Sequence, residues 1–288
     1  MAAVNIIEYI TIASTGNATD FGNLAANNQD TSSLSNSTRN VTGGGEEGSG
    51  TNRIQYITIA STGNSTDFGD LTENKTSHCS GGSTTRGLFA GGNLPGTGSS
   101  NVINYITIAS TGDATDFGDC ISGGLGEYPG MATSNTRALK GGGGSNINVI
   151  DYVTIASTGD AQDFGDLSVG RGRITATSSK DTYAVWMATS GNLNTARNRL
   201  AGAGQKTAAL FFGGEGSSSK SNVIDFIDIT STGNASDFGD LSSVNWALTS
   251  ASSTTRAVAA GGNGNSVSGG INVLEYVTIA STGDVTDF

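Results

Sequence analysis

One phrase of about twenty residues occurs six times in this chain of 288 residues, and it restricts the possible folds more than any other feature. Two of its copies read NVINYITIASTGDATDFGDC from Asn101 and NVIDYVTIASTGDAQDFGDL from Asn148. The first aromatic residue of the phrase falls at Tyr9, Tyr56, Tyr105, Tyr152, Phe226 and Tyr276, and the second at Phe21, Phe68, Phe117, Phe164, Phe238 and Phe288. Successive first aromatics are 47, 49, 47, 74 and 50 residues apart. Such a period is typical of propeller blades.

A second, looser phrase lies between these copies. It consists of Thr-Arg, a short apolar run and a glycine pair, as in TTRGLFAGG from Thr84. The interval of 74 residues holds two degenerate copies, DTYAVWMATSG from Asp181 and KTAALFFGG from Lys206. Because no Tyr–Phe phrase follows the first of these, we predict that this interval contains a blade reduced to half its strands.

Each full period contains the strand content of one propeller blade. From Val102 to Ile108, nearly every residue is β-branched or aromatic, which is typical of a strand that is covered on both faces. The Ser-Thr-Gly-Asp that follows predicts a turn, because Gly and Asp tolerate positive φ. A period of 3.6 persists nowhere, so no helix is expected. The predicted fold class is all-β, a β-propeller of about six or seven four-stranded blades with one blade degenerate.

We expect one propeller domain over residues 1–288. It would begin with a half-blade at 1–24, followed by blades at about 25–71, 72–121, 122–167, 168–241 and 242–288, the fourth containing the degenerate half-blade. The first and last repeats contribute the same type of half-blade, so they do not complement each other. Strand edges left open by incomplete closure would favour pairing with another copy of the chain.

Composition and charge argue against several classes of function. The net charge of −11 would repel phosphate backbones, so nucleic acid is not an expected partner. No apolar run approaches the ~20 residues of a membrane-spanning helix, and the first residues enter a repeat without the pattern of a secretory signal. Cys79 and Cys120 have no counterparts in other repeats, which argues against a disulfide framework.

The order of motifs in each period resembles the kelch repeat. In kelch blades a glycine pair ends the second strand, a Tyr lies on the third and a Trp opens the fourth. Here Gly91-Gly92, Tyr105 and Phe117 occupy those places, with Phe in place of Trp. The near-identical ITIASTG and DFGDL segments are also similar to kelch-like repeat proteins of marine bacteriophages, which are suspected virion or tail-associated proteins.

These resemblances imply a non-enzymatic structural or attachment protein of a virus particle. Its partners would be other virion proteins, further copies of itself or glycans of the host surface, and its location would be the phage particle or tail. An alternative is an extracellular carbohydrate-binding or adhesion propeller of a bacterial surface. A polysaccharide-active enzyme is a third hypothesis, although kelch resemblance says little about chemistry.

Two sets of repeated polar residues are candidate sites. Asp113, Asp116 and Asp119 could offer oxygen ligands to Ca²⁺, the one cofactor considered, but we favour hydrogen bonding within a tight turn, because the first position alternates between Asn and Asp among the repeats. A repeated arginine precedes four of the apolar runs, at Arg39, Arg86, Arg137 and Arg256. It could meet an anionic ligand, and we favour pairing with a carboxylate of the next blade.

The remaining candidates lie outside the repeating positions. Trp186, Trp246 and Tyr128 could stack on sugar rings, although core packing is an alternative for each. The segments Glu46–Gly50, Leu94–Ser100, Gly214–Lys220 and Asn263–Gly270 vary in length and content, so we expect them to form the binding surface. The single histidine, His78, and its neighbour Cys79 are the only residues that suggest a catalytic base or thiol. No catalytic residue is predicted.

Overall fold

The computed structural model describes most of the chain. The described residues are 3–12, 14–121, 128–144, 147–167, 170, 172–174, 176–178, 184–186, 193–194, 197–205, 207–216, 219–228, 234–264 and 270–288, with the backbone alone at 177–178 and 184–186. The described secondary structure consists of β-strands, without α-helices. Consequently, no helix of the described chain could span a membrane.

The first half of the chain forms a hairpin and three four-stranded sheets. The hairpin consists of β1 (Val4–Tyr9) and β2 (Thr19–Asn28). Blade A consists of β3 (Ser32–Ser35), β4 (Arg39–Gly43), β5 (Arg53–Thr58) and β6 (Thr66–Asp70). Blade B consists of β7 (Cys79–Gly82), β8 (Arg86–Ala90), β11 (Val102–Thr107) and β12 (Thr115–Asp119), with a small hairpin of β9 (Asn93–Leu94) and β10 (Gly98–Ser99) inserted. Blade C consists of β13 (Gly130–Thr133), β14 (Arg137–Gly141), β15 (Val149–Thr154) and β16 (Gln162–Asp166).

The second half forms another hairpin and two four-stranded sheets. The hairpin consists of β17 (Ala176–Ser178) and β18 (Ala184–Trp186). Blade D consists of β19 (Ala201–Gln205), β20 (Ala208–Phe212), β21 (Val223–Asp228) and β22 (Ser236–Asp240). Blade E consists of β23 (Thr249–Ser252), β24 (Arg256–Ala260), β25 (Leu274–Thr278) and β26 (Thr286–Asp287). All neighbouring strands in these sheets are antiparallel and follow chain order.

This arrangement is a β-propeller with five four-stranded blades. The predicted all-β propeller is therefore found, whereas the predicted count of six or seven blades is not confirmed. The difference arises because two hairpins lie in two-stranded sheets of their own. No Tyr–Phe phrase directly follows the hairpin β17–β18, and no other described strand pairs with the hairpin β1–β2.

Contacts divide the chain into two compact units. The larger unit comprises Ala2–Tyr9 and Thr19–Arg173, with blades A, B and C. The smaller unit comprises Met1, Ile10–Ala18 and Ile174–Phe288, with blades D and E. In the larger unit the first strand of blade B packs beside the first strands of blades A and C, and in the smaller unit β19 packs beside β17 and β23.

The apolar cores lie between neighbouring blades. Between blades A and B, for example, the buried cluster includes Val41, Ile54, Phe68, Phe89 and Ile106. A similar buried cluster joins blades D and E and includes Leu210, Phe212, Ile224, Ala257 and Val277. Burying a side chain of this size contributes about 2–3 kcal/mol, so each blade depends on its neighbour for stability.

In each of the five blades, the Tyr–Phe phrase forms the third and fourth strands of the sheet. In blade B, Tyr105 lies on the third strand and Phe117 on the fourth, and the two rings meet edge to face with centroids 5.9 Å apart. The third and fourth strands are offset by a register shift between Ile103 and Asn104. Equivalent shifts occur in blades A, C and D, so the repeated sequence produces a repeated irregularity.

Candidate functional site

The Ser-Thr-Gly-Asx turn of each repeat joins its blade to the preceding one. In blade B the Gly112 amide donates to the Phe68 carbonyl of blade A at 2.7 Å, and Asp113 Oδ1 accepts from the Asp70 amide at 3.0 Å. The second bond has counterparts in which Asn64 accepts from Asn23, Asp160 from Asp119, and Asp284 from Asp240. These repeated side chains therefore hold neighbouring blades together.

The three candidate calcium ligands take part in such backbone bonds. Asp113 faces the preceding blade, and Asp116 Oδ1 accepts from the Gly118 amide of its own segment at 3.0 Å. The backbone amide of Asp119 donates a hydrogen bond to Asp160 Oδ1. Among the described residues, no three His, Cys, Asp or Glu side chains come together as a metal site requires. The turn interpretation thus accounts for the positions of Asp113 and Asp116 without a metal ion.

The repeated arginines also bind neighbouring repeats, but the expected carboxylate acceptor is wrong. Arg39 Nη1 donates to the Ile108 carbonyl at 2.8 Å, and Arg86 Nη1 donates to the Ile155 carbonyl at 2.7 Å. Each guanidinium also makes a cation–π contact with a tyrosine ring of its own blade. The distances from the guanidinium carbon to the ring centroid are 4.4 Å for Arg39–Tyr56, 4.5 Å for Arg86–Tyr105, 4.8 Å for Arg137–Tyr152 and 4.4 Å for Arg256–Tyr276.

A further repeated position, not identified from the sequence, lies one residue before the anchoring aromatic. Its side chain is polar and buried in all five blades, at Gln55, Asn104, Asp151, Asp225 and Glu275. Gln55 Oε1 accepts from the Ala25 amide at 2.8 Å, and Glu275 Oε1 accepts from the Ser242 amide at 3.1 Å. The sequence signal is a polar residue within an otherwise apolar strand, and its role is to hold the chain that enters the blade.

Two of these buried carboxylates carry ion pairs. Asp151 lies 3.4 Å from Lys140 Nζ, and Asp225 lies 3.0 Å from Arg197 Nη2. Arg197 also donates to the Phe211 and Val223 carbonyls. Burial raises the pKa of Asp225 and lowers the pKa of Arg197, while their mutual attraction opposes both shifts. Both side chains are closed off from solvent, so this pair supports the fold rather than offering charge to a ligand.

His78 is buried against Phe89 of blade B, and Cys79 is buried in the apolar cluster that joins blades B and C. Burial lowers the pKa of His78 to about 3, the nearby Lys75 ammonium adds to the decrease, and a contact with the Gly43 backbone opposes it. Burial raises the pKa of Cys79 to about 12. At neutral pH, His78 is therefore an uncharged imidazole and Cys79 is a thiol, and neither side chain is exposed. Cys120 is likewise a buried free thiol.

The chain topology collects the variable segments at one end of the strands. In an antiparallel four-stranded sheet, the loop between the second and third strands lies at the same end as the links that enter and leave the blade. We call this end the loop face of each unit. It carries Glu46–Gly50 and Leu94–Ser100 in the larger unit, and Gly214–Lys220 and Asn263–Gly270 in the smaller unit. Of the last two segments, 217–218 and 265–269 lie outside the described residues.

Tyr128 lies on the loop face of the larger unit, within a row of unusual backbone conformations. Asp30, Ser77, Tyr128 and Arg173 all have φ of 54–55°, which costs about 1 kcal/mol for each non-glycine residue. The Ser77 amide donates to the Asp30 carbonyl at 3.0 Å, and the Tyr128 amide donates to the Ser77 carbonyl at 2.8 Å. Positive φ at these positions turns the chain into the first strand of the next sheet, which begins two or three residues later.

The side chains of this row form a polar cluster around Tyr128. The Arg173 guanidinium lies 5.1 Å from the centroid of the Tyr128 ring. Burial is the main cause that raises the pKa of Tyr128, and a hydrogen bond with Asp30 raises it further. Ser77 and the positive charge of Arg173 oppose this increase. A half-buried phenol between a carboxylate and a guanidinium can bind a polar ligand through its ring and its flanking charges.

Two variable segments meet nearby in the larger unit. Glu46–Gly50 and the inserted hairpin β9–β10 form an open depression of about 420 Å³. The residues that line it are Ser49, Gly50, Asn74, Leu94, Pro95 and Thr97. This surface combines small polar side chains with two apolar ones, a composition suited to a saccharide or an extended peptide.

In the smaller unit, Trp246 is the centre of a second cluster. The Arg199 guanidinium lies 4.7 Å and Lys220 Nζ lies 5.2 Å from the centroid of its ring. Arg199 pairs with Glu215 at 3.1 Å, and Lys220 donates to the Gly264 carbonyl at 2.7 Å. Trp246 is half-buried and belongs to neither of the apolar clusters described for its unit, and its ring makes cation–π contacts with these two basic side chains.

The third aromatic candidate, Trp186, ends β18, but its side chain lies outside the described residues. From the sequence, Tyr128 and Trp246 are candidates for ligand contact. Their charged neighbours Asp30, Arg173, Arg199 and Lys220 could not be found in this way, because no sequence pattern marks charged residues that come together only in the folded chain. No protein-family model matches this chain, and a search of curated proteins finds no significant match.

Proposed function

We propose that this protein is a non-enzymatic binding propeller, a structural or attachment protein of a bacteriophage particle. Its loop face would contact other virion proteins or glycans of the host surface. The observation that supports this proposal most directly is the contrast between repeated and unrepeated polar residues. Repeated residues such as Asp113, Arg86 and Gln55 bind the backbone of neighbouring repeats, whereas the unrepeated Tyr128 and Trp246 lie with charged neighbours on the loop faces.

We also propose that the blades are of the kelch type. The glycine pair Gly91-Gly92 directly follows the second strand of blade B, Tyr105 lies on its third strand and Phe117 lies on its fourth. These are the places that the kelch pattern gives to its glycine pair, tyrosine and tryptophan. A kelch-type scaffold agrees with a binding role, because its function depends on the loops that each member carries.

The aromatic residues favour glycans as the small-molecule partners. Tyr128 and Trp246 offer ring surface for stacking, and the neighbouring Asp30, Arg173 and Lys220 offer the hydrogen bonds and charge that orient a sugar. The virion setting rests on the similarity of the ITIASTG and DFGDL segments to bacteriophage repeat proteins.

Glycan-array binding of the fluorescently labelled protein tests the binding role. We expect saturable binding that falls at least tenfold in Tyr128→Ala or Trp246→Ala. The matched control is Phe164→Ala, because Phe164 is 51% exposed but lies on a fourth strand away from the loop face. Equal losses in all three variants would contradict a site at the loop face.

Immunogold labelling of purified phage particles tests the setting. Labelling of the tail or capsid is the expected result, and its absence from particles of an infecting strain that produces the chain would overturn the virion assignment. Turnover of a polysaccharide by the purified protein would overturn the non-enzymatic assignment.

A further inference from the structure

Strand β1 has an edge that no other described strand covers. In each blade the third strand pairs with the fourth on one side and with the second on the other, as β11 pairs with β12 and β8. Strand β1 carries the third-strand sequence and pairs with β2, but no other described strand joins it. Its side chains Val4 and Ile6 are 57% and 59% exposed. An uncovered edge with exposed apolar side chains favours the addition of another strand.

Tyr9 also lacks a contact that the four tyrosines at the equivalent position have. Tyr56, Tyr105, Tyr152 and Tyr276 each lie beneath an arginine from the second strand of their blade. Among the described residues, no guanidinium lies over Tyr9, which is 43% exposed. Nevertheless, the turn of this hairpin is bound like the turn of a complete blade, because Gly16 donates to the Phe288 carbonyl and Arg256 donates to the Ile12 carbonyl. The turn of this hairpin is therefore bound as in a complete blade, although no described strand takes the place of its second strand.

Strand β18 has the complementary edge. Its partner β17 packs beside β19 as β19 packs beside β23, so β17 takes the place of a first strand and β18 that of a second strand. In the described chain β18 pairs with β17 and with no third strand. Among the described strands, β1 is thus a third strand without a second, and β18 is a second strand without a third.

We infer that β18 of one copy pairs with β1 of another copy, so that copies of this chain associate head to tail. The result would be a sheet in the order β17-β18-β1-β2, which is the order of first to fourth strands in all five blades. Such an interface is heterologous, so repetition gives a closed ring or a filament. This association is independent of the proposed ligand binding, since neither strand belongs to the loop face.

The blades also set the register of this pairing. In blade A, Leu34 lies four residues after Asp30 and pairs with Val41, which in turn pairs with Tyr56. In blade C, Ala132 lies four residues after Tyr128 and pairs with Leu139, which in turn pairs with Tyr152. Thr177 lies four residues after Arg173, which has the same positive φ, and it pairs with Val185. By this equivalence Val185 of one copy lies opposite Tyr9 of the next.

Sedimentation equilibrium over a wide concentration range tests the association. The wild-type mass should rise with concentration, and Ile6→Lys should weaken association at least tenfold, because a lysine on an edge strand opposes strand addition. The matched control Ile59→Lys changes an isoleucine that is 44% exposed but lies in a turn, and it should associate like wild type. A wild-type chain that stays monomeric, or equal effects of both variants, would overturn the inference.

Disulfide trapping tests the register. Tyr9→Cys and Val185→Cys proteins, mixed and oxidised, should form a linked dimer of the two chains, because directly opposed residues in antiparallel strands are within disulfide reach. Ile59→Cys mixed with Val185→Cys is the control and should give no such dimer. If the mixture gives no dimer above this control, or if the double variant links only within one chain, the inference is wrong.

Discussion

Asp113 in blade B accepts a hydrogen bond from the backbone amide of Asp70 in blade A, at 3.0 Å. An asparagine can accept this bond equally well, as Asn64 does from Asn23 at the preceding joint. We therefore expect Asp113→Asn to leave the free energy of unfolding within about 0.5 kcal/mol of wild type, whereas Asp113→Ala should lower it by about 1 kcal/mol. Urea unfolding of the two variants measures the difference.

The same variants test the alternative role of Asp113 as a calcium ligand. A carboxylate contributes charge that an amide lacks, so a calcium site would lose affinity in both variants. We expect the melting temperature of the wild-type protein to be the same in EDTA and in calcium chloride. A melting temperature that rises with calcium in wild type but not in Asp113→Asn would contradict the turn interpretation.

Gly69 and Gly112 face each other at this joint, but they should respond differently to substitution. A Cβ on Gly69 would lie 2.5 Å from the Gly112 carbonyl, whereas a Cβ on Gly112 would meet no atom within 4 Å. Both residues have φ above 140°, so each alanine adds about 1 kcal/mol of strain. Gly69→Ala must also separate the two blades, and we expect it to cost at least 2 kcal/mol more than Gly112→Ala in urea unfolding.

The result that would contradict this packing argument is an equal loss of stability in Gly69→Ala and Gly112→Ala. The comparison can be repeated at the next joint, because Gly118 lies in the same way against Gly159. Gly159→Ala again has open space at its Cβ position, so the asymmetry between the two glycines should recur there.

The strands and their order could be predicted from the sequence because each period repeats the same local signals. Tyr105 and Phe117 mark the third and fourth strands, and Gly91-Gly92 marks the end of the second, as the structure has them. The blade count could not be predicted in this way. It depends on whether a hairpin finds partner strands, and neither β1–β2 nor β17–β18 has joined a four-stranded sheet.

The candidate site was less predictable, because its residues come from different repeats. Tyr128 and Trp246 could be identified as aromatics outside the repeating pattern. Asp30 and Arg173 could not, since only the positive φ at each link brings them to Tyr128. The repeated arginines show the opposite problem. Their regular spacing indicated an interblade contact, but no sequence pattern distinguishes a carboxylate from the carbonyl of Ile108 as the acceptor.

The buried pair of Arg197 and Asp225 should be sensitive to the loss of one partner. Asp225→Asn removes the negative charge and leaves the Arg197 guanidinium buried without it, so we expect a loss of about 3–5 kcal/mol in urea unfolding. The matched control is Glu215→Gln, since Glu215 and Arg199 are about one-third exposed and such pairs contribute less than about 1 kcal/mol. Similar losses in both variants would contradict the assigned burial.

His78 makes the stability of the protein depend on pH in a predictable direction. Its pKa is lowered to about 3 in the folded protein, against about 6.5 when unfolded, so the unfolded chain binds an additional proton between these values. The contribution of the uncharged His78 to the free energy of unfolding is complete above pH 6.5 and is lost as the pH falls towards 3. Relative to His78→Leu, wild type should therefore lose about 2 kcal/mol between pH 7 and pH 5.

Proton NMR provides a direct check, because His78 is the only histidine in the chain. Its Cε1 proton resonance in the folded protein should stay constant from pH 8 to pH 5, since burial and the neighbouring Lys75 ammonium both oppose protonation. The urea-unfolded chain serves as the control and should titrate near pH 6.5. A midpoint near 6.5 in the folded protein would mean that the imidazole is open to solvent, and the expected pH dependence of stability would then be absent as well.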